Sequence, residues 1–142
     1  MENREYIDIP LDEHDAELLP SLSQSFASIW SDTSEQPRAL YDKFIARTPI
    51  ADGVRFRPPT SAQPPGEWCK PSSGSAQTAM LYLHGGAYVM GSAHAYRGFV
   101  SQIAARAHCS AFSLDYTLAP EATIPVAIDQ ARAAAEDRKS VV

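Results

Sequence analysis

Two adjacent glycines, Gly85 and Gly86, follow His84 at the end of an apolar run of residues and precede Ala87. Glycines at the carboxyl end of a strand allow positive φ angles and leave backbone N–H groups outside any strand ladder. Such N–H groups can converge on an anion, and open α/β sheets bind their ligands at this edge. The residues therefore predict either a bound phosphate or a transient oxyanion formed during acyl transfer.

The spacing of the glycines argues against phosphate binding. Gly86 and Gly91 have the G-x-x-x-x-G spacing of a P-loop, but Ser92 stands where the lysine should follow. The gaps between Gly85, Gly86 and Gly91 also break the dinucleotide-binding pattern G-x-G-x-x-G. An oxyanion of acyl transfer is therefore the better interpretation.

A second motif lies further along the chain. Residues 82–92 read YLHGGAYVMGS, and residues 115–121 read DYTLAPE. The first segment resembles the HGGG-type loop of α/β-hydrolase lipases and esterases. The second resembles the D-Y-R-L-A-P-E marker of the hormone-sensitive-lipase branch of these hydrolases. The sequence departs from the two motifs at Ala87, in place of the third glycine, and at Thr117, in place of the arginine.

The resemblance, which extends from residue 52 to about residue 135, implies a fold and an activity. The fold would be α/β: the amino-terminal part of an α/β-hydrolase sheet, mostly parallel, with helices on both faces and two cap-region helices before it. The activity would be hydrolysis of a carboxylic ester or lactone through a serine acyl-enzyme. No metal or cofactor is implied.

The resemblance also assigns roles around the glycine pair. The N–H groups of Gly85, Gly86 and Ala87 would form the oxyanion hole. His84 would support the loop rather than act as the catalytic base, and Tyr88 would either cover the acyl pocket or pack beneath the loop.

The nucleophile of this mechanism has no counterpart in the sequence. Its elbow, G-x-S-x-G, needs two glycines four residues apart, and none of the seven glycines has that spacing. The catalytic acid and histidine follow the elbow in this family. We therefore expect an amino-terminal fragment without the Ser/Asp/His triad, which supplies the oxyanion-hole half and is inactive alone.

The apolar spacing predicts the amino-terminal elements. Stripes at helical spacing predict helices over 22–30 and 40–45. Pro20 suits the first turn of the earlier helix, and a capping box from Thr33 to Gln36 is predicted before the later one. We expect residues 1–48 to be the cap region and residues 49–142 to be a partial hydrolase domain, truncated before the elbow.

The remaining elements alternate between strand and helix. Residues 54–57 and 66–70 predict antiparallel strands joined by a proline-rich turn, and 78–83 predicts a strand buried on both faces. A helix capped by Ser92, a strand over 109–114 and a helix starting at Thr123 follow. A strand–helix–strand order implies a parallel pair of strands.

Other polar residues that could do chemistry have simpler interpretations. The resemblance implies that Asp115 anchors the loop that follows it, and Cys109 is expected to be a small core residue. The remaining histidines are expected at the surface or at helix ends: His14, His94 and His108.

The composition narrows the class of protein. A net charge of −5 without a basic cluster disfavours nucleic acid as a partner, and no apolar run is long enough for a membrane span. The first residues do not predict a targeting signal, so a cytoplasmic location is expected. The partner would be a small ester or lactone.

Two alternatives to the hydrolase stay open. The chain could be a non-catalytic anion-binding pseudoenzyme that uses the same N–H groups. It could also be an interaction subunit whose open sheet edge, after the strand at 109–114, is completed by a partner chain or otherwise aggregates.

Overall fold

A computed structural model describes residues 9–31, 33, 35–73 and 75–136, with the side chains of 75–77 outside the description. In this part of the chain, four helices and four strands are found. Their bounds are α1 Glu13–Ser31, α2 Pro37–Ile45, β1 Val54–Arg57, β2 Gly66–Pro71, β3 Ser75–Leu83, α3 Arg97–Ala107, β4 Cys109–Leu114 and α4 Ile124–Glu136.

The described strands form one sheet in the order β1-β2-β4-β3. β1 pairs with β2 and β2 pairs with β4 in antiparallel fashion, whereas β3 and β4 are parallel, with Leu83 opposite Leu114. The predicted antiparallel pair and the predicted parallel pair are therefore both confirmed. The α/β class is confirmed as well, but the described sheet is mixed rather than mostly parallel.

Helices cover both faces of the sheet, as predicted, because neighbouring strand residues point to opposite sides. On one face, Cys69 and Ala111 pack with Val100 and Ala104 of α3. On the other face, the core cluster brings Trp68, Phe112 and Leu114 together with Ala127 of α4. The carboxyl ends of β3 and β4, where Leu83 and Leu114 lie, thus stand between two packed helical layers.

The structure corrects two predictions about strands. β3 is an edge strand among the described residues. Its side chains from residue 78 to residue 83 are half-buried or exposed, with Leu83 48% exposed, so the prediction of a strand buried on both faces is wrong. β4 has a neighbour on each side, so the edges of the described sheet are β1 and β3, and the prediction of an open edge along β4 is wrong. Periodicity shows that a strand is apolar but not which strands flank it.

The structure also corrects three predictions about helix starts. Pro20 lies inside α1, which starts seven residues earlier at Glu13 with the Asp12 carboxylate accepting from the Asp15 amide at 2.8 Å. Gln36 is the N-cap of α2 without a side-chain bond, so the predicted capping box does not form. Ser92 does not cap α3, whose N-cap is Tyr96; its hydroxyl instead accepts from the Ala95 amide at 3.1 Å, in the preceding turn.

The chain forms two compact units, which divide between residues 34 and 35. The first contains α1, and the second contains α2 together with the sheet. Tyr41 and Ile45 of α2 pack against the core that faces α3. The assignment of residues 1–48 to a cap region stays a prediction. Among the helices that the structure describes, none is long and apolar enough to span a membrane.

Candidate active site

Three consecutive residues with positive φ form the turn after β3. The φ angles are 122° at Gly86, 54° at Ala87 and 62° at Tyr88. A Cβ on Gly86 would lie 2.1 Å from the carbonyl oxygen of Met90, so this position admits only glycine. The Gly86 carbonyl accepts hydrogen bonds from the amides of Val89 and Met90, both at 3.0 Å, and these bonds close the turn.

The turn leaves backbone donors unused. Among the hydrogen bonds within the described part of the chain, none starts from the N–H of Gly86, Ala87 or Tyr88. Gly85 differs, because the hydroxyl of Tyr96 lies beside it. Of the three predicted oxyanion donors, Gly86 and Ala87 therefore have an N–H without a partner among the described residues, whereas Gly85 has the Tyr96 hydroxyl beside it. Tyr88 adds a free N–H that was not predicted from the sequence.

His84 is buried beneath the turn. Its imidazole stacks on the ring of Tyr116, with centroids 4.3 Å apart, and its Nδ1 lies 2.9 Å from the Gly85 carbonyl oxygen. The hydroxyl of Tyr116 donates to the His84 carbonyl at 2.6 Å. Burial raises the pKa of the Tyr116 and Tyr96 hydroxyls, so both stay protonated at neutral pH. The two tyrosine hydroxyls are therefore suited to holding this region in place rather than to accepting a proton.

An open apolar pocket of about 600 Å³ lies beside the turn. It is bounded by the end of β3, by the turn and by one face of α4. Tyr88, which is 44% exposed, forms part of its wall, and so do Ala87 and His84. The other lining residues are Leu81, Leu83, Gly85, Tyr116, Ala127, Ile128, Ala131, Arg132 and Ala135. Ala87 and Tyr88, two of the three residues whose N–H has no partner among the described residues, thus line an apolar space.

The second motif, at residues 115–121, packs against the first. The amide of Ala119 donates to the Tyr88 carbonyl at 2.8 Å. Asp115 accepts a 2.6 Å hydrogen bond from the Ala93 amide, so it anchors the segment before α3 and not its own loop as predicted. Thr117, which replaces the arginine of the family motif, exchanges two hydrogen bonds with Gln130 of α4, at 2.8 and 2.9 Å.

The other candidate residues of the sequence lie away from the turn. His14 and His94 are exposed, and His108 ends α3 in a left-handed conformation with φ 50°. Cys109 is buried on β4 as predicted, and it is a free thiol like Cys69. Burial raises the pKa of the Cys69 thiol to about 11, so it is not a nucleophile at neutral pH. No group of three potential metal ligands exists among the described residues.

Arg38 on α2 contacts both motifs, and the sequence did not indicate it. Its guanidinium donates to the Val89 carbonyl at 2.7 Å and to both carboxylate oxygens of Glu121, at 2.7 and 2.8 Å. These partners lie 51 and 83 residues away in the sequence. No local pattern of residue types could have indicated such contacts.

Comparison with known proteins agrees with the α/β fold described above. A family model described as "alpha/beta hydrolase fold" matches residues 80–140. An esterase structure from the bacterial hormone-sensitive lipase family superposes with a TM-score of 0.69 at 30% identity, over 82% of this chain and 41% of that one. A second structure, a hormone-sensitive lipase homologue from a metagenome library, gives 0.70 at 28% identity, over 89% and 41%.

The chain has an α/β-hydrolase fold and is similar to esterases of the hormone-sensitive lipase family. LipR of Mycobacterium tuberculosis, named as an acetyl-hydrolase, is 42% identical over 93 residues, which are 66% of this chain and 30% of LipR. An esterase of Acinetobacter venetianus is 34% identical over 92 residues, 65% of this chain and 30% of that protein. The chain thus spans about a third of the length of these curated relatives.

Proposed function

We propose that this chain supplies the oxyanion-binding part of a carboxylic-ester hydrolase. The observation that carries the proposal is the pair of N–H groups at Gly86 and Ala87 without a partner among the described residues, of which Ala87 lines an apolar pocket. The esterase and acetyl-hydrolase names of its relatives favour esters, and lactones share the same carbonyl chemistry. The apolar wall would take up the acyl or alcohol group of the substrate.

In the proposed reaction, a serine hydroxyl attacks the ester carbonyl carbon and loses its proton to a histidine. The carbonyl oxygen then becomes a tetrahedral oxyanion, which accepts hydrogen bonds from Gly86 and Ala87. These two donors cost no reorganisation because the turn already holds them in place. Loss of one such donor typically costs about 10²–10³ in kcat, or about 3–4 kcal/mol.

The chain alone is proposed to be inactive, because the serine elbow has no counterpart in its sequence. A fluorophosphonate probe labels activated serines covalently. The expected result is no labelling of the 142-residue chain. Stoichiometric labelling of one serine would contradict this part of the proposal, and LipR itself serves as the positive control.

A graft tests the ester-hydrolase role directly. Residues 80–140, which the family model matches, would replace the corresponding segment of LipR. We expect the graft to hydrolyse a p-nitrophenyl acyl ester with the same acyl preference as LipR. A folded graft without any esterase activity would count against the proposal.

A second candidate is an anion-binding module without catalysis, which the same free N–H groups favour. Calorimetry with acetate and phosphate separates the two candidates. The hydrolase proposal predicts no tight binding by the isolated chain, whereas micromolar binding would favour the module. Co-purification with a partner that carries G-x-S-x-G would instead favour a subunit completed by another chain.

A further inference from the structure

One face of α2 contacts the segment that contains the turn. Arg38, Tyr41 and Asp42 stand at positions i, i+3 and i+4, so they share one side of the helix. We infer that this face of α2 holds the oxyanion-binding turn in its working conformation, with Arg38 as the main positioning residue. The inference rests on the proposed function, since it assigns α2 to the same site.

Arg38 joins the turn to the second motif. Its Nε donates to the Val89 carbonyl, and Nη2 donates to the Ala119 carbonyl as well as to Glu121. Nη1 completes a bidentate pair with the Glu121 carboxylate at 2.7 Å. A planar guanidinium offers five donors in a fixed geometry, and a lysine could not satisfy these partners simultaneously.

Tyr41 and Asp42 contact the two ends of the same segment. The hydroxyl of Tyr41 lies 2.8 Å from that of Tyr96, which in turn lies beside Gly85. The Asp42 carboxylate accepts a 2.8 Å hydrogen bond from the Ser92 hydroxyl. α2 therefore contacts the chain directly after the turn at Val89, further along at Ser92, and at Tyr96, the N-cap of α3.

The turn needs such outside support. Ala87 and Tyr88 adopt left-handed conformations that a Cβ disfavours. The internal bonds that oppose this cost are the two from the Val89 and Met90 amides to the Gly86 carbonyl. None of Arg38, Tyr41 and Asp42 lines the pocket, so they act on the turn and not on a substrate.

Amide hydrogen exchange measured by NMR on the full 142-residue chain tests the inference. The variants are Arg38→Gln and Arg38→Lys. The control is Arg47→Gln, which lies beyond α2 and whose guanidinium stands over the Phe44 ring. The amides to follow are Val89, Met90 and Ala119, with those of the central strand β4 as the measure of global stability.

In Arg38→Gln, Val89 and Met90 should exchange at least about tenfold faster, while β4 amides change by less than about threefold. Arg38→Lys should give an intermediate rate, and Arg47→Gln no change. Unchanged rates at Val89 and Met90, or rates that rise only in step with β4, would overturn the inference. If Arg38→Gln does not fold, Arg38→Lys decides by the same comparison. No ester takes part, so failure here is separate from failure of the hydrolase proposal.

Discussion

Ala87 carries a Cβ in a conformation, φ 54°, that favours glycine. A left-handed backbone costs an L-residue roughly 1–2 kcal/mol, which the surrounding contacts must offset. The alanine nevertheless keeps its N–H, and that N–H has no partner within the part of the chain that the structure describes. Replacement of the family's third glycine thus changes the stability of the turn without removing the donor.

Glu121 provides a pH-dependent reporter of the same region. The hydrogen bond from Arg38 is the main cause that lowers the pKa of its carboxyl from 4.5 to about 2. A lowered folded-state pKa means that the pair stabilises the fold above pH 4.5 and that this contribution is lost as the pH falls through 2. In a carboxyl ¹³C NMR titration, Arg38→Gln should return the Glu121 midpoint towards 4.5.

Arg47→Gln is the matched control for this titration, since the Arg47 guanidinium lies over the Phe44 ring and the Glu121 carboxylate pairs with Arg38. Its Glu121 midpoint should equal that of the unmodified chain. An unmodified chain that already titrates at the ordinary value would show that the Arg38–Glu121 pair does not form in solution.

At the scale of elements, α3 makes a close approach that only a glycine permits. A Cβ on Gly98 would lie 1.9 Å from the Thr48 carbonyl oxygen. Alanine is the better helix former by about 1 kcal/mol, but this clash dominates. Gly98→Ala should therefore lower the free energy of unfolding by about 1–3 kcal/mol in urea denaturation.

His108→Gly is the contrasting change at the other end of α3. This residue has φ 50°, so glycine should raise the free energy of unfolding by up to about 1 kcal/mol. A higher free energy of unfolding for Gly98→Ala together with a lower one for His108→Gly would contradict this account, because helix propensity alone would then govern α3.

Local patterns in the sequence predicted where the helices and strands lie better than they predicted which elements and residues surround them. The stripe from Tyr96 to Ala107 and the apolar run at 109–114 depend on spacing within one segment, and both elements are found where expected. Pro20 does not mark the start of a helix as predicted, because the Asp12 carboxylate already caps the first turn of α1, which starts seven residues before it. The edge position of β3 and the contacts of Arg38 depend on residues far away in the sequence, so spacing could not indicate them.

At the scale of the molecule, β3 is paired on one side only within the described sheet. Leu83 at its end and Ile128 on α4 are about half exposed, at 48% and 49%, and both line the pocket. An unpaired apolar edge promotes association between chains. We therefore expect the purified chain to self-associate at micromolar concentration.

Leu83→Lys should reduce this association, because a charge on an edge strand disfavours strand pairing. Sedimentation velocity measures the effect. A purified unmodified chain that is monomeric and unfolds in a sharp cooperative transition would contradict the expectation.

The donor role of the turn is tested most directly by removing a single N–H. In the LipR graft, unnatural amino acid incorporation would replace Ala87 by lactic acid, which puts an ester oxygen in place of that amide and retains the Cβ. The matched control is the same replacement at Ala122, whose amide donates to the Leu118 carbonyl at 2.9 Å. We predict that the replacement at residue 87 lowers kcat for p-nitrophenyl acetate by about 10²–10³-fold and leaves KM nearly unchanged. The control replacement at Ala122 should not have this effect. A kcat within about twofold of the graft's own value would contradict this donor role.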